Sequence, residues 1–126
     1  MIKALRQYLI DHTSIHNWMG YSFADAQTPK PFGTFRRGGR SRDLNNIEGG
    51  LISFEIRPYL DDQTADYADL DKVAREIRLA LSDTIITTSD GSRFMLEYVS
   101  EGSDYGDQDW KALTRPMYFQ IPIVGR

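Results

Sequence analysis

The strongest concentration of charge in this sequence is a group of arginines within seven residues. They are Arg36, Arg37, Arg40 and Arg42, separated by two glycines and a serine. Guanidinium groups displayed together can contact nucleic-acid phosphates through charge and counterion release, without reading base sequence. They can equally be solvated or pair with carboxylates of a neighbouring subunit, such as Asp104, Asp107 and Asp109. The arginine cluster is therefore a candidate contact with DNA or with another subunit.

Two aromatic residues lie in a segment otherwise rich in Gly, Ser and Asp. Tyr105 and Trp110 belong to the residue types favoured at the centres of protein interfaces, as does Trp18 earlier in the chain. The alternative is that the segment folds back and Trp110 covers the chain's own core. We predict a possible interface at Tyr105 and Trp110 and keep that alternative open.

The residues with catalytic or metal-binding potential do not form a recognisable site. His12 and His16 are four residues apart, but no third metal ligand lies near them in the sequence. The Arg37-Gly-Gly-Arg40 segment lacks the Lys-Ser or Lys-Thr ending of a phosphate-binding loop. The chain has no cysteine, and its carboxylates cluster in polar segments where solvation is usual. We therefore expect no enzyme activity, no metal and no cofactor.

Length and composition indicate one folded domain spanning residues 1–126. Hydrophobic residues make up 40% of the chain and charged residues 26%, a mixture typical of globular proteins. The net charge of -3 argues against a protein that coats nucleic acid, so any DNA contact would be local. Residues 1–12 contain no apolar run of signal-peptide or transmembrane length, which predicts synthesis in the cytosol and no membrane partner.

Hydrophobic periodicity and aromatic content predict two helices and five strands. The helices are Ile2–Ile10 and Asp66–Ser82, and the strands are Trp18–Phe23, Phe32–Arg37, Leu51–Leu60, Arg93–Val99 and Met117–Val124. Long loops are expected at about 38–50 and 100–112. Pro58 predicts an unpaired or edge position for the end of its strand, and Pro116 and Pro122 predict that the last strand lies at or near an edge. The order predicts an α+β fold, with a mostly antiparallel or mixed sheet and both helices on one face.

In this order of elements, the chain resembles the tail terminator or tail completion proteins of long-tailed bacteriophages, a family of small head-tail joining proteins. The resemblance rests on the opening helix, the proline-rich approach to a strand at 29–32, the long strand at 51–59, the Asp69–Leu81 helix and the closing strand at 115–123. It covers nearly the whole chain and involves no motif of catalytic chemistry.

The resemblance implies a structural protein that forms a ring, usually of six copies, at the head-tail junction of the virion. Such a ring caps the tail tube, ends its polymerisation and docks the head completion or connector protein. Its partners would be itself, the tail tube protein and the head protein, with possible non-specific contact to DNA in the lumen. Two other classes stay open from the residues themselves: a small ligand-binding or enzymatic domain, and a nucleic-acid-binding module that uses the arginine cluster.

Overall fold

The computed structural model describes residues 2–37, 51–82 and 84–122. The elements, in chain order, are α1 (Ile2–His12), β1 (Trp18–Gly20), a 3-10 turn (Tyr21–Phe23), β2 (Phe32–Arg37), β3 (Leu51–Asp61), α2 (Tyr67–Leu81), β4 (Thr84–Thr87), β5 (Arg93–Glu101), β6 (Tyr105–Asp107), β7 (Ala112–Thr114) and β8 (Met117–Pro122). The predicted loop at 38–50 lies outside the described residues, and so do Arg40 and Arg42.

The described strands form one mixed, curled sheet of eight strands, which confirms the predicted α+β class. Its main order is β1-β2-β3-β8-β5-β4, with β1 parallel to β2 and the other pairs antiparallel. β7 pairs with β3 beyond the end of β8, and β6 pairs with β7. No helix in the described part of the chain is both long and apolar enough to cross a membrane.

Both helices pack on the same face of this sheet, as predicted. Leu5 and Leu9 of α1 and Ile77 of α2 belong to one buried cluster with Phe54 of β3 and Phe119 of β8. Every second residue of a strand faces the same way, so the residues between these core positions lie on the opposite face. We call the helix-covered side the inner face and the other side the outer face.

α2 begins and ends where its sequence predicts. The Asp66 side chain accepts a hydrogen bond from the backbone N–H of Asp69, while the Asp69 side chain accepts one from the backbone N–H of Asp66. This reciprocal capping satisfies backbone donors that the first helical turn leaves unpaired. Asp66 and Ser82, which the periodicity included in the helix, are its two caps.

The predicted strand Trp18–Phe23 is too long, because it ends at Gly20. Tyr21–Phe23 form a 3-10 turn in which the Ala24 N–H donates to the Tyr21 carbonyl. Trp18 is fully buried and its ring lies against Gly33 of β2, where a Cβ would come within 2.1 Å of the indole. Aromatic content predicted a strand here, but only Trp18 points into the core.

The edge positions predicted from the prolines are also wrong. β3 lies between β2 on one side and both β7 and β8 on the other, and β8 lies between β3 and β5. In the β3 register, Pro58 falls opposite the break between β7 and β8, where Pro116 also lies. The prolines therefore interrupt pairing locally, inside the sheet. The predicted inward side of the last strand is confirmed, since Met117, Phe119 and Ile121 are buried; Ile123 and Val124 lie outside the described residues.

The segment predicted as a loop at 100–112 contains a hairpin. β5 continues to Glu101, and β6 and β7 then pair around a four-residue turn. The Asp107 carboxylate accepts the Trp110 N–H at 3.0 Å, and Lys111 takes a left-handed conformation with φ 51. The four-residue strand β4 was not predicted from the sequence; a turn that contains Asp90 and Gly91 joins it to β5.

Candidate functional site on the outer sheet face

The outer face carries a continuous set of charged and aromatic side chains across β2, β3 and the β6–β7 hairpin. Neighbouring strands and the 3-10 turn bring them together: Tyr21, Phe32, Arg36, Glu55, Arg57, Tyr59, Tyr105 and Trp110. We call this set the outer-face cluster. It has a charged half centred on Glu55 and an aromatic half centred on Tyr59.

A single carboxylate holds two arginines in the charged half. Glu55 lies directly opposite Arg36 in the β2–β3 register, and Arg57 is two residues further along the same strand. Arg36 Nη2 lies 3.0 Å from Glu55 Oε1, and Arg57 Nη2 lies 2.7 Å from Glu55 Oε2. Arg57 Nη1 also donates to the Tyr105 hydroxyl. Strand register thus creates an Arg-Glu-Arg bridge that ends on Tyr105.

The Glu55–Arg57 pair of this bridge is electrostatically strong because both side chains are largely buried. The exposed fraction of the side chain is 10% for Glu55 and 15% for Arg57, against 50% for Arg36. Burial opposes the charge on Arg57, but attraction to Glu55 outweighs it, so the pKa of Arg57 lies above its ordinary value. Arg57 therefore stays charged over the working pH range and cannot serve as a proton donor or acceptor near neutrality.

The aromatic half is a stack that rests on the chain's own core. Phe32 and Tyr59 face each other across β2 and β3 with ring centroids 4.7 Å apart, and Trp110 lies 5.1 Å from Tyr59. Tyr21 stacks 6.0 Å from Trp110 and also lies under the Arg36 guanidinium, with Arg36 Cζ 4.6 Å from its centroid. Tyr21 therefore joins the aromatic half to the charged half through a cation–π contact.

The tyrosines of the cluster differ in what they can offer to a partner. Burial raises the pKa of Tyr59 to about 12, although Arg57 acts in the opposite direction, so Tyr59 keeps its proton. Tyr105 and Tyr21 are 43% and 38% exposed, and neighbouring Tyr118 on β8 is 38% exposed. Tyr59 therefore supports the cluster from below, while the other three present rings and hydroxyls to the outside.

The structure separates the predicted arginine group. Arg36 lies on the outer face with Tyr105 and Trp110, so three predicted residues from distant parts of the chain come together there. Arg37, the next residue of the strand, lies on the inner side and lines a groove with Lys3 and Asp11 of α1. Trp110 is half-buried against Phe32 and Tyr59, which matches the alternative that its segment folds back on the core.

Asp104, considered as a partner for the arginine cluster, is occupied within its own chain. It pairs with Arg115, which also binds Glu101 at 2.8 Å and Asp71 of α2 at 3.2 Å. The hydrogen bonds with Asp104 raise the pKa of Arg115 more than burial lowers it. This second ion cluster fastens α2 to the end of β5 and gives Asp104 a structural use.

The two histidines do not come together as ligands. His12 Nδ1 lies 3.0 Å from the Tyr8 carbonyl and its ring stacks on Tyr8, while His16 Nδ1 lies 3.3 Å from the Ile10 carbonyl. Among the described residues, no group of three or more His, Asp or Glu side chains is placed to hold a metal ion.

Sequence analysis missed the four residues that organise the outer-face cluster: Tyr21, Glu55, Arg57 and Tyr59. The available signal was the alternation of β3, which places Glu55 and Arg57 on its polar side. Their importance depends on which strands flank β3, and the alternation does not contain that information. Neither protein-family models nor curated proteins provide a match for this chain.

Proposed function

We propose that this protein is a tail terminator of a long-tailed bacteriophage or prophage. In this role, copies of the chain form a ring, of six copies as in the family that it resembles, which caps the tail tube and ends its polymerisation. The ring then offers a docking surface to the head completion protein at the head-tail junction of the virion. The role is structural, without catalysis or a cofactor.

The observation that carries this proposal is the outer-face cluster. Tyrosine, tryptophan and arginine are the residue types most enriched among those that dominate binding energy at protein interfaces. Here they are held rigid by Glu55 and by stacking, so little side-chain entropy is lost when a partner docks.

The sheet edge gives the proposal further support. Within the described residues, β4 pairs only with β5, and its four residues, Thr84–Thr87, include no charge, glycine or proline. Ile85 on this strand is 58% exposed. Soluble proteins normally protect such an edge or cover it with another chain. A ring in which one face of each copy meets a different face of the next would supply that cover.

Light scattering on the purified protein over a range of concentrations tests the ring. Six chains of 14.5 kDa would give a mass of about 87 kDa. The tail tube protein should then be polymerised with and without this chain, and tube lengths measured by electron microscopy. We expect rings at tube ends and tubes of limited length. Tubes that grow equally long with the protein present would refute the terminator function.

Two substitutions test whether the outer face is the docking surface. Tyr105→Ala and Tyr118→Ala remove exposed rings without touching the core, so the fold should persist while capping or head docking weakens. Thr64→Ala, an exposed change between β3 and α2, is the control for surface substitution. If the tyrosine variants cap tubes and dock heads as the parent does, the outer face is not the docking surface.

A further inference from the structure

Two exposed apolar side chains on different surfaces of the molecule stand out from the rest. Phe23, in the 3-10 turn after β1, is 81% exposed, and Leu79, on α2, is 72% exposed. They are the two most exposed large hydrophobic residues in the described part of the chain. Burying either side chain in an interface would remove a large apolar area from contact with water, which favours association.

Leu79 lies in a surface groove, which we call the α2 groove. This open groove of about 770 Å³ runs along α2 beside the end of α1, and its apolar lining comes from Val73, Leu79 and Ala80. Lys72 and Arg75 lie on its rim, and both are exposed. An aromatic ring fits such a groove, and the rim favours a carboxylate beside that ring.

Glu76 of α2, an acidic residue that lines this groove, forms hydrogen bonds within its own chain. Its Oε1 accepts hydrogen bonds from the Ser14 N–H at 3.0 Å and from the Ser14 hydroxyl at 2.8 Å. Asp69, at the far end of the groove, accepts the Asp66 N–H in the helix cap. Arg75 Nη2 lies 3.9 Å from Asp71 Oδ2, but both side chains are exposed and such a pair is weak. Lys72 and Arg75 are therefore the two positive charges that the carboxylate of a partner can approach.

The residues around Phe23 carry a charge opposite to that of Lys72 and Arg75 at the α2 groove. Asp25, two residues further on, is exposed; its Oδ1 accepts hydrogen bonds from the Gln27 N–H and the Thr28 hydroxyl, and the carboxylate still carries its negative charge at the surface beside Phe23. Ser22, between Tyr21 and Phe23, is small and exposed as well. Tyr21 of the same turn belongs to the outer-face cluster, whereas α2 covers the inner face. A copy cannot bring its own Phe23 to its own groove across the sheet, but two copies can meet through these surfaces.

We propose that Phe23 of one copy inserts into the α2 groove of the next copy, with Asp25 facing Lys72 and Arg75. The contact joins two different surfaces, so it repeats from copy to copy and closes into a ring when the rotation permits. It rests on the proposed ring function, for which it names the subunit contact, and the partner it requires is a second copy of this chain.

Cysteine cross-linking tests the contact directly, because the chain contains no cysteine of its own. Ser22→Cys places a thiol next to the Phe23 side chain, and Ala80→Cys places one in the α2 groove. Mixing the two single variants under mild oxidation should give a mixed disulfide dimer, and the double variant should give a ladder that ends at the ring size. Ser89→Cys mixed with Ala80→Cys is the control, since Ser89 is an equally exposed serine on the β4–β5 turn.

Substitution provides an independent measurement. Phe23→Ala or Leu79→Ala should weaken self-association by about ten- to a hundredfold, the loss expected when one buried apolar side chain is removed. Val99→Ala is the control, because Val99 is a 50% exposed apolar residue of β5 that lies outside the proposed contact and off the β4 edge. Both test positions are exposed, so circular dichroism should show an unchanged fold.

The outcomes separate the contact from the ring function. A multimer that forms without the Ser22–Ala80 cross-link, and that Phe23→Ala leaves intact, would overturn the contact and leave the terminator proposal standing. A specific cross-link in a protein that does not cap tubes would support the contact and refute the function. A monomer without cross-links at any concentration would overturn the contact. A Phe23→Ala variant that self-associates normally but loses the tail tube protein would assign Phe23 to that other protein and overturn the contact too.

Discussion

Replacement of Glu55 by glutamine tests whether one buried carboxylate holds the outer-face cluster together. The change keeps the size of the side chain and removes its charge. Arg57, only 15% exposed, would then keep its positive charge next to an amide and its hydrogen bond to Tyr105. Arg36 is half exposed and can turn to water, so it contributes little to the loss.

The expected magnitude follows from these exposures. Removing one partner of a fully buried ion pair costs about 3–5 kcal/mol, whereas an exposed pair contributes about 0–1 kcal/mol. Because the glutamine oxygen can still accept one arginine hydrogen bond, we expect Glu55→Gln to lower the free energy of unfolding by about 2–4 kcal/mol. In urea, a slope of about 2 kcal/mol per M converts this to a midpoint shift of about 1–2 M.

Urea unfolding followed by circular dichroism measures the effect, with Glu97→Gln as the matched control. The Glu97 carboxylate lies on the same face and accepts a hydrogen bond from Gln120 at 2.9 Å, and the structure pairs it with no arginine among the described residues. Its replacement should cost about 0.5–1.5 kcal/mol. If Glu55→Gln costs no more than Glu97→Gln, the Arg-Glu-Arg bridge does not stabilise the fold and our reasoning is wrong.

Four further predictions test the core, the hairpin and one turn. Gly33→Ala should lower the melting temperature, because its Cβ would lie 2.1 Å from the buried Trp18 ring, at a cost of about 1–3 kcal/mol or more; an unchanged melting curve would contradict this packing. Lys111→Gly should raise the urea midpoint by the equivalent of about 1 kcal/mol, since φ 51 favours glycine, and a lower midpoint would contradict this conformation. Phe119→Asp should abolish the folded circular dichroism signal, because the side chain is 1% exposed, and a native spectrum would mean that the faces of β8 are reversed. The Thr88 hydroxyl and the Ser92 N–H lower the pKa of Asp90 to about 2, so its stabilisation of the turn is present above about pH 4 and is lost towards pH 2. The protection of the Ser92 amide, measured relative to its intrinsic exchange rate, should therefore fall over that range in the parent and not in Asp90→Asn.

The elements with complete local signals were predictable from the sequence. α2 has a capping residue, an apolar stripe and acidic residues in its first turn, and its predicted bounds differ from the structure only by the two cap residues. β2 was predicted with its observed bounds, and the inward side of β8 was predicted correctly up to Ile121. In each case the deciding information lies within about fifteen residues, because periodicity and capping are local properties.

The position of each strand in the sheet was not predictable in the same way. Prolines were interpreted as marks of an edge, but Pro58 and Pro116 both lie at the gap between β7 and β8, inside the sheet. A proline needs only a site where its missing N–H is not required, and a gap between two short strands satisfies this as well as an edge does. The sequence shows that the donor is missing and does not show which neighbour tolerates the loss.

The candidate site was predictable only in its separate parts. Arg36, Tyr105 and Trp110 were selected for residue type, but their meeting depends on the β2–β3 register and on the β6–β7 hairpin. Glu55, which joins the two arginines, looked like an ordinary polar residue of an alternating strand. A charged residue on a strand acquires its role from the residue opposite it, and that partner is nineteen positions away for Arg36.

The separation of Arg36 from Arg37 bears on what the arginine cluster can do. Adjacent residues of a strand point to opposite faces, so two neighbouring arginines cannot form one patch when both lie in β2. Arg36 is moreover bound to Glu55 and stacked on Tyr21, which reduces the counterion release it could gain from a phosphate. Arg36 thus favours protein contact over DNA contact. This agrees with the proposed ring, in which the outer face meets other protein chains.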